Sequence, residues 1–356
     1  LDSSYLALLA AVSSFLITFL SIPPIIRLSL VKRLYDRPDE RKNHPHRTSA
    51  LGGVGIFGGM IFSFLFFTAG IPYPELNSIL CALIVLFVTG VKDDLYPMVP
   101  GKKLIGQLVA ALIVSMHGGV RIKSIYGLLG VYEIPYVISI GVTVFVLLFL
   151  INAFNFIDGI NGLTAGIGII GSATYAWWFW RMNEPLFLIL GTCMVGAQAA
   201  FLWYNVRGRI FMGDSGSMVI GFLLAVLTVY FIKVSEDFKP NIFYNISAVA
   251  YAVAVLIVPV FDALRIVFIR LVVHRKSPFR ADRNHIHHLL IGAGLKHWEA
   301  TLALSGFNML MISLAWYFNG RLLPKYQLVV YLVICLIFTG ILLRYYRKKN
   351  IAVEDR

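Results

Sequence analysis

Residues 135–152 read PYVISIGVTVFVLLFLIN, and the stretch that follows, AFNFIDG, brings Asn155, Asp158 and Gly159 directly after the apolar run. The run carries no charged side chain and comes close to the ~20 apolar residues of a bilayer-crossing helix. Amide and carboxylate groups at its far end therefore mark a membrane edge, where such groups are costly and rarely incidental. Three further polar motifs stand at the ends of apolar runs: Lys92-Asp93-Asp94, Gly213-Asp214-Ser215-Gly216 and Asp282-x-x-His285-x-His287-His288. Carboxylate and amide oxygens suit a hard divalent cation that holds phosphates. The expectation is phosphoryl-transfer chemistry at a membrane surface.

The rest of the chain repeats this alternation. Of its 356 residues, 58% are hydrophobic and 14% charged, where a soluble domain carries about 25% charged residues. Mean hydropathy is +0.79. The sequence predicts an all-α, polytopic integral membrane protein with a single domain over residues 1–356. Candidate spans are Tyr5–Leu30, Gly52–Gly70, Leu76–Val91, Leu104–His117, Pro135–Asn152, Leu163–Trp180, Pro185–Trp203, Ser217–Val234, Phe243–Val273, Ala300–Asn319 and Tyr326–Arg344. That makes eleven, with ten as the alternative because Leu104–His117 is short. Phe243–Val273 is long enough to run on as one helix into water. The first run is too long for a signal-peptide core and lacks a basic stretch before it, and Leu1 need not be the natural start. Gly118–Pro135 reads as a small external hairpin.

The formal net charge of +13 comes largely from basic residues in short connectors, a pattern that sets topology and excludes nucleic acid as a partner. The connectors near 31–50, 92–103, 153–162, 204–213, 274–299 and 344–356 hold about three times as many Lys and Arg as the alternate set. That other set has only Arg121, Lys123, Arg181, Lys233, Lys239, Arg321 and Lys325. The amino terminus is thus expected outside and the carboxyl terminus in the cytoplasm, with every polar motif on the cytoplasmic face. Cys81, Cys193 and Cys335 lie in apolar runs without metal-ligand spacing. No internal repeat supports an inverted-repeat transporter, whose charges would also sit nearer the midplane.

Each motif has a bland reading beside the functional one. Adjacent carboxylates such as Asp93-Asp94 survive best with a cation or a basic neighbour; Lys92, Lys102 and Lys103 could neutralise a solvated helix end without any metal, so the pair gains weight only beside the other motifs. Asn152, Asn155 and Asp158 recur every three residues and so share one arc of a continuing helix. That arc could grip a metal, a phosphate and a sugar or base edge; the alternative is helix-to-helix hydrogen bonding within the membrane. Gly213-Asp214-Ser215-Gly216 is either an N-cap with turn glycines or a phosphate cradle with Asp214 beside it as a metal ligand. The segment Arg275–His288 holds Arg275, Lys276, Arg280, Arg283 and three histidines. It reads as an anion-holding loop rather than a zinc protease site, since His-Glu-x-x-His and Cys are absent. Arg41-Lys42-x-His44-x-His46-Arg47-Thr48, leading into Gly52-Gly53-x-Gly55, could close over a nucleotide or simply set topology.

Together and in this order, these motifs resemble the polyprenyl-phosphate N-acetylhexosamine-1-phosphate transferase family, from about Asp36 to Leu290. The match is most specific in Asn152–Leu163, Phe211–Ser217 and Asp282–His288. The peptidoglycan branch, with its phospho-N-acetylmuramoyl-pentapeptide transferases, carries a Pro-x-His-His-His-Phe-Glu loop. This chain instead has Ser277-Pro278-Phe279 and then Asp282-Arg283-Asn284-His285-Ile286-His287-His288, similar to the bacterial branch that uses UDP-N-acetylglucosamine (UDP-GlcNAc). It departs from that branch at Arg47-Thr48-Ser49-Ala50-Leu51, where Pro-x-Pro-Arg is common.

The resemblance implies transfer of N-acetylglucosamine-1-phosphate to undecaprenyl phosphate in the bacterial inner membrane, with UMP released and Mg2+ or Mn2+ required. This would be the first membrane step of a cell-surface glycan. Membrane lipids are further partners, and a homodimer is left open. By the same resemblance, Asp214, Asn155 and Asp94 would hold the metal. Asp93, Asp94, Asp158, His285, His287 and His288 would be catalytic, with Asp93 as base or positioning group. Lys42, Thr48, Asn152, Asn161, Phe211, Gly213 and Arg283 would contact the nucleotide or sugar phosphate.

Overall fold

The structure is a computed structural model that describes residues 2–34, 48–70, 73–125, 128–235, 247–273, 275 and 284–354. Among these the chain is helical apart from two isolated bridges, Ser49↔Ile210 and Ser124↔Glu133. The second bridge gives the Gly118–Pro135 segment its hairpin character. The helices are α1 (Ser3–Val31), α2 (Gly52–Thr68), α3 (Pro74–Leu95), α4 (Pro100–Leu112), α5 (Tyr136–Ile157), α6 (Leu163–Arg181), α7 (Pro185–Asn205) and α8 (Gly213–Ser235). They continue with α9 (Ala248–Val255), α10 (Ile257–Phe268), α11 (Ile286–Gly292), α12 (His297–Phe318) and α13 (Pro324–Glu354). α3, α4 and α7 each open on proline, whose fixed φ and missing N–H suit a first turn.

Seven of these helices are long and apolar enough to cross a bilayer, or eight if the bent pair α9–α10 counts as one span. That is fewer than the eleven runs read from the sequence. α2 is a shorter apolar helix of 17 residues. α4 starts at Pro100, so Lys102 and Lys103 fall inside it, and it gives way to a π-turn over Ile113–His117. The expected single helix over 243–273 is a correction: it breaks at Leu256 and bends by 83°. Asn308 of α12 donates to the Val255 carbonyl at 3.0 Å, so a carbonyl at the break keeps a partner away from water.

α8 is the axis of the bundle. In its most apolar window 89% of residues are buried, against 28% for α1 and 22% for α12, which therefore turn most of their surface outward. Small residues let neighbours reach α8 closely. A Cβ on Gly53 of α2 would stand 2.2 Å from the Gly216 nitrogen, and one on Gly90 of α3 would stand 2.5 Å from the Ser215 Cα. On its other side Gly221 meets α5 at Ile151 and Phe154. The ends of α2, α3 and α5 are thereby drawn to the first turn of α8.

Candidate active site

α3 does not stop at its apolar run but continues through Asp93 and Asp94 to Leu95. Both carboxylates therefore ride on a rigid last turn. Asp94 reaches α8, where its two oxygens accept from the backbone N–H groups of Asp214 (2.6 Å) and Ser215 (3.0 Å). A carboxylate there satisfies orphan donors and meets the positive end of the helix dipole. Gly213 permits this approach: its φ is +74°, and a Cβ would lie 2.0 Å from the Ala50 oxygen and 2.7 Å from either Asp94 oxygen.

Asp214 is held from two sides. Asn155 Nδ2 donates to its Oδ1 and also to Ser217 Oγ at 2.9 Å. Lys103 Nζ contacts the same Asp214 oxygen, and Asp93 Oδ2 at 3.1 Å. Asp93, Asp94, Asn155 and Asp214, expected from three separate motifs to act together, thus form one connected group. Asn152 is different. Its Nδ2 donates to Gln107 Oε1 (2.7 Å) on α4 and to the Leu148 carbonyl (2.8 Å). This is the helix-to-helix bonding weighed as its alternative, one turn along α5 from Asn155 and one turn along α4 from Lys103.

Beyond α5 the chain turns through Asp158–Gly162, and three elements pin that turn. Asn205 at the end of α7 accepts from Gly162 N (2.6 Å) and donates to the Ile210 carbonyl (2.8 Å), joining this turn to the 204–213 loop. Thr301 of α12 donates to the Asn161 carbonyl at 2.9 Å. His287 fits against Gly159, where a Cβ would stand 2.2 Å from its Nε2. Asp158 keeps part of its surface open. Even so, burial pushes its carboxyl well above the usual range, and the charges of Asp214 and Asp94 push it the same way.

The histidines are anchored by a residue the sequence reading passed over. Asp262 of α10 accepts from the Ile286 N–H at 3.0 Å and pairs with His285 Nδ1 at 2.9 Å. Arg265 lies 3.4 Å from Asp262 and donates to the Asn284 carbonyl. A lone carboxylate inside the apolar run 243–273 was the available signal. Asn205, an amide at the end of an apolar run, was another. The Phe156 ring packs 5.7 Å from His285, which joins this cluster to α5. His287 and His288 lie 4.2 Å apart, centre to centre. His287 is 1% exposed with no partner for either ring nitrogen. Burial, reinforced by neighbouring His288, pushes its pKa down to about 3.

The first loop is tied in through its end. Phe211 N donates to the Ser49 carbonyl (2.8 Å), Gly52 N to the Phe211 carbonyl (3.0 Å) and Gly53 N to the Met212 carbonyl (2.8 Å). Thr48, buried beside this pairing, and Phe211 therefore border Gly213. Lys42 and Arg283 lie outside the described residues.

Among the described residues no group of three or more His, Cys, Asp or Glu side chains could hold a metal ion alone. The site offers instead two carboxylates, Asp93 and Asp214, sharing one cation, the Lys103 ammonium. Mg2+ is commonly bound by one or two carboxylates completed by substrate phosphates, and this donor set fits that pattern.

The sequence profile of glycosyl transferase family 4 matches residues 76–232, from α3 through most of α8. A Bacillus subtilis (strain 168) protein named "Probable undecaprenyl-phosphate N-acetylglucosaminyl 1-phosphate transferase" is 30% identical over 310 residues, covering 85% of this chain and 83% of that protein. The "Undecaprenyl-phosphate alpha-N-acetylglucosaminyl 1-phosphate transferase" of Escherichia coli O157:H7 is 28% identical over 342 residues, 92% of this chain and 89% of its own length. A Salmonella typhi protein of the same name is 29% identical over 309 residues, 84% of this chain and 80% of its own.

Proposed function

The chain belongs to glycosyl transferase family 4, and from that premise we propose that it transfers N-acetylglucosamine-1-phosphate from UDP-GlcNAc to undecaprenyl phosphate, releasing UMP. The names of relatives at 28–30% identity over most of the chain support the reaction. The observation that carries it to this molecule is the convergence at the first turn of α8, where Asp93 and Asp214 share the Lys103 ammonium and Asn155 donates to Asp214.

In the reaction a lipid-phosphate oxygen bonds to the β-phosphorus of the donor. The bond from that phosphorus to the bridging oxygen breaks, and its electron pair leaves with UMP. Both reactants are anions, so positioning and charge neutralisation are the main tasks. A Mg2+ or Mn2+ ion held by Asp214 and Asp93, with Asn155 beside them, would neutralise diphosphate charge. Asp94 instead fixes Asp214 through the backbone of α8. A phosphate monoester has a second pKa near ~6 and is already ionised at neutral pH. Asp93 is therefore suited to orienting the nucleophile and Lys103 more than to removing a proton. Asp158, Asn161, Phe211 and Gly213 border the nucleotide, and the neutral His287 steadies the turn that carries Asp158. The wider reading is an eleven-span protein of the bacterial cytoplasmic membrane, amino terminus outside, with this site on the cytoplasmic face.

Purified protein supplied with undecaprenyl phosphate, UDP-GlcNAc and Mg2+ should release UMP. Asp214→Asn should lower that rate by about 100-fold or more while thermal unfolding stays unchanged. Near-normal turnover in folded Asp214→Asn would remove the assignment. UMP release only from UDP-N-acetylmuramoyl-pentapeptide would move the chain to the peptidoglycan branch.

A further inference from the structure

Lys103 comes from the first turns of α4, which folds back along α3 after the short link Tyr96–Val99. The packing is close: a Cβ on Gly106 would stand 2.5 Å from Thr89 Oγ1 of α3. This holds the Lys103 stem beside Asp93, and only 14% of its side chain is exposed. Its ammonium bridges Asp93 and Asp214, the two carboxylates with an oxygen not spent on the α8 N–H groups. An ammonium and a divalent ion cannot occupy that position together, because two cations within contact distance repel strongly in a partly buried setting.

We propose that Lys103 is a resident counter-ion that competes with the divalent metal for the Asp93–Asp214 pair and so makes metal and diphosphate binding cooperative. The inference rests on the metal reading above. Without nucleotide, a metal must displace the ammonium from two carboxylates and leave it unpaired on a side chain only 14% exposed, which weakens metal binding. A diphosphate offers the displaced ammonium a new anionic partner as it completes the metal's ligands. Each ligand therefore strengthens the other by the same factor. The lysine also keeps two neighbouring carboxylates compatible while the site waits for substrate.

The test is Mn2+ titration of purified full-length protein in detergent, read by electron paramagnetic resonance with and without UDP. Wild type should bind Mn2+ weakly alone and about 10-fold or more tightly with UDP. Lys103→Met should bind Mn2+ about 10-fold more tightly than wild type without UDP, and its gain from UDP should shrink. Lys103→Arg, which keeps the charge, should stay close to wild type, and size exclusion confirms that each variant is folded. Equal or weaker Mn2+ binding by folded Lys103→Met overturns the counter-ion role while leaving the metal site standing. If wild type binds no Mn2+ with or without UDP and turns over in EDTA, the metal reading itself falls, and this inference with it.

Discussion

His287 carries two ring nitrogens into a site with no partner for either, in the space left by the absent side chain of Gly159. Its folded pKa, about 3, lies below the ~6.5 of a free histidine. Between those values the unfolded chain binds a proton that folded His287 refuses, so stability falls as pH drops through that window and is fully present above it. The slope is at most about 1.4 kcal/mol per pH unit. His287→Gln removes this term. Melting curves from pH 7 to pH 5 should therefore drop more steeply for wild type than for the variant, and run parallel above pH 7. An equal drop in both would mean that the imidazole ionises inside the fold. The sequence marked the histidines as partners for anions. That one of them is buried and neutral depends on α5 and α11 meeting, which no spacing within 285–288 conveys.

At the scale of the element, the start of α8 separates legible from illegible most sharply. Gly213-Asp214-Ser215-Gly216 announced a helix start with turn glycines, and the helix does begin at Gly213. The cap, however, is supplied by Asp94 of α3, 120 positions earlier in the chain. Gly213→Ala should therefore damage both stability and site. The new Cβ would meet the Ala50 carbonyl and both Asp94 oxygens at a φ of +74°, a conformation that costs a non-glycine residue about 1–3 kcal/mol before any clash is counted. A thermal shift assay should register the loss, and UMP release should fall with it. Unchanged stability would mean that α8 can start without the Asp94 cap. α9–α10 divides differently: Pro259 has no N–H for the Val255 carbonyl, so a break was legible in the run, but the 83° bend and the donor that satisfies that carbonyl, Asn308 of another helix, were not.

For the whole molecule, the expected orientation rests on where the basic connectors fall. Tyr96, after the Asp93-Asp94 turn, is 74% exposed, and Tyr132, in the 118–135 hairpin, is 70% exposed. In intact cells expressing a chain with its three native cysteines replaced, Tyr132→Cys should react with a membrane-impermeant maleimide. Tyr96→Cys should react only after the membrane is permeabilised. The reverse pattern would place the acidic cluster outside and contradict use of a cytoplasmic nucleotide sugar.

Composition and pattern determined that the chain is a helical membrane protein and pointed to phosphate chemistry at its helix ends. Apolar length and the cost of polar groups at a bilayer edge are local properties of a sequence. They also marked Asp93, Asp94, Asn155 and Asp214 as companions. Only the tertiary structure decided how these divide their work: Asp94 on the α8 backbone, Asp93 and Asp214 on Lys103, Asn152 turned to Gln107, and Asp262 and Asn205 holding the loops in register. Apart from Asp93 with Lys103, ten positions on and already a candidate neutraliser in the sequence, those pairings join residues far apart in the chain, and partners at such separations are set by helix packing, not by spacing.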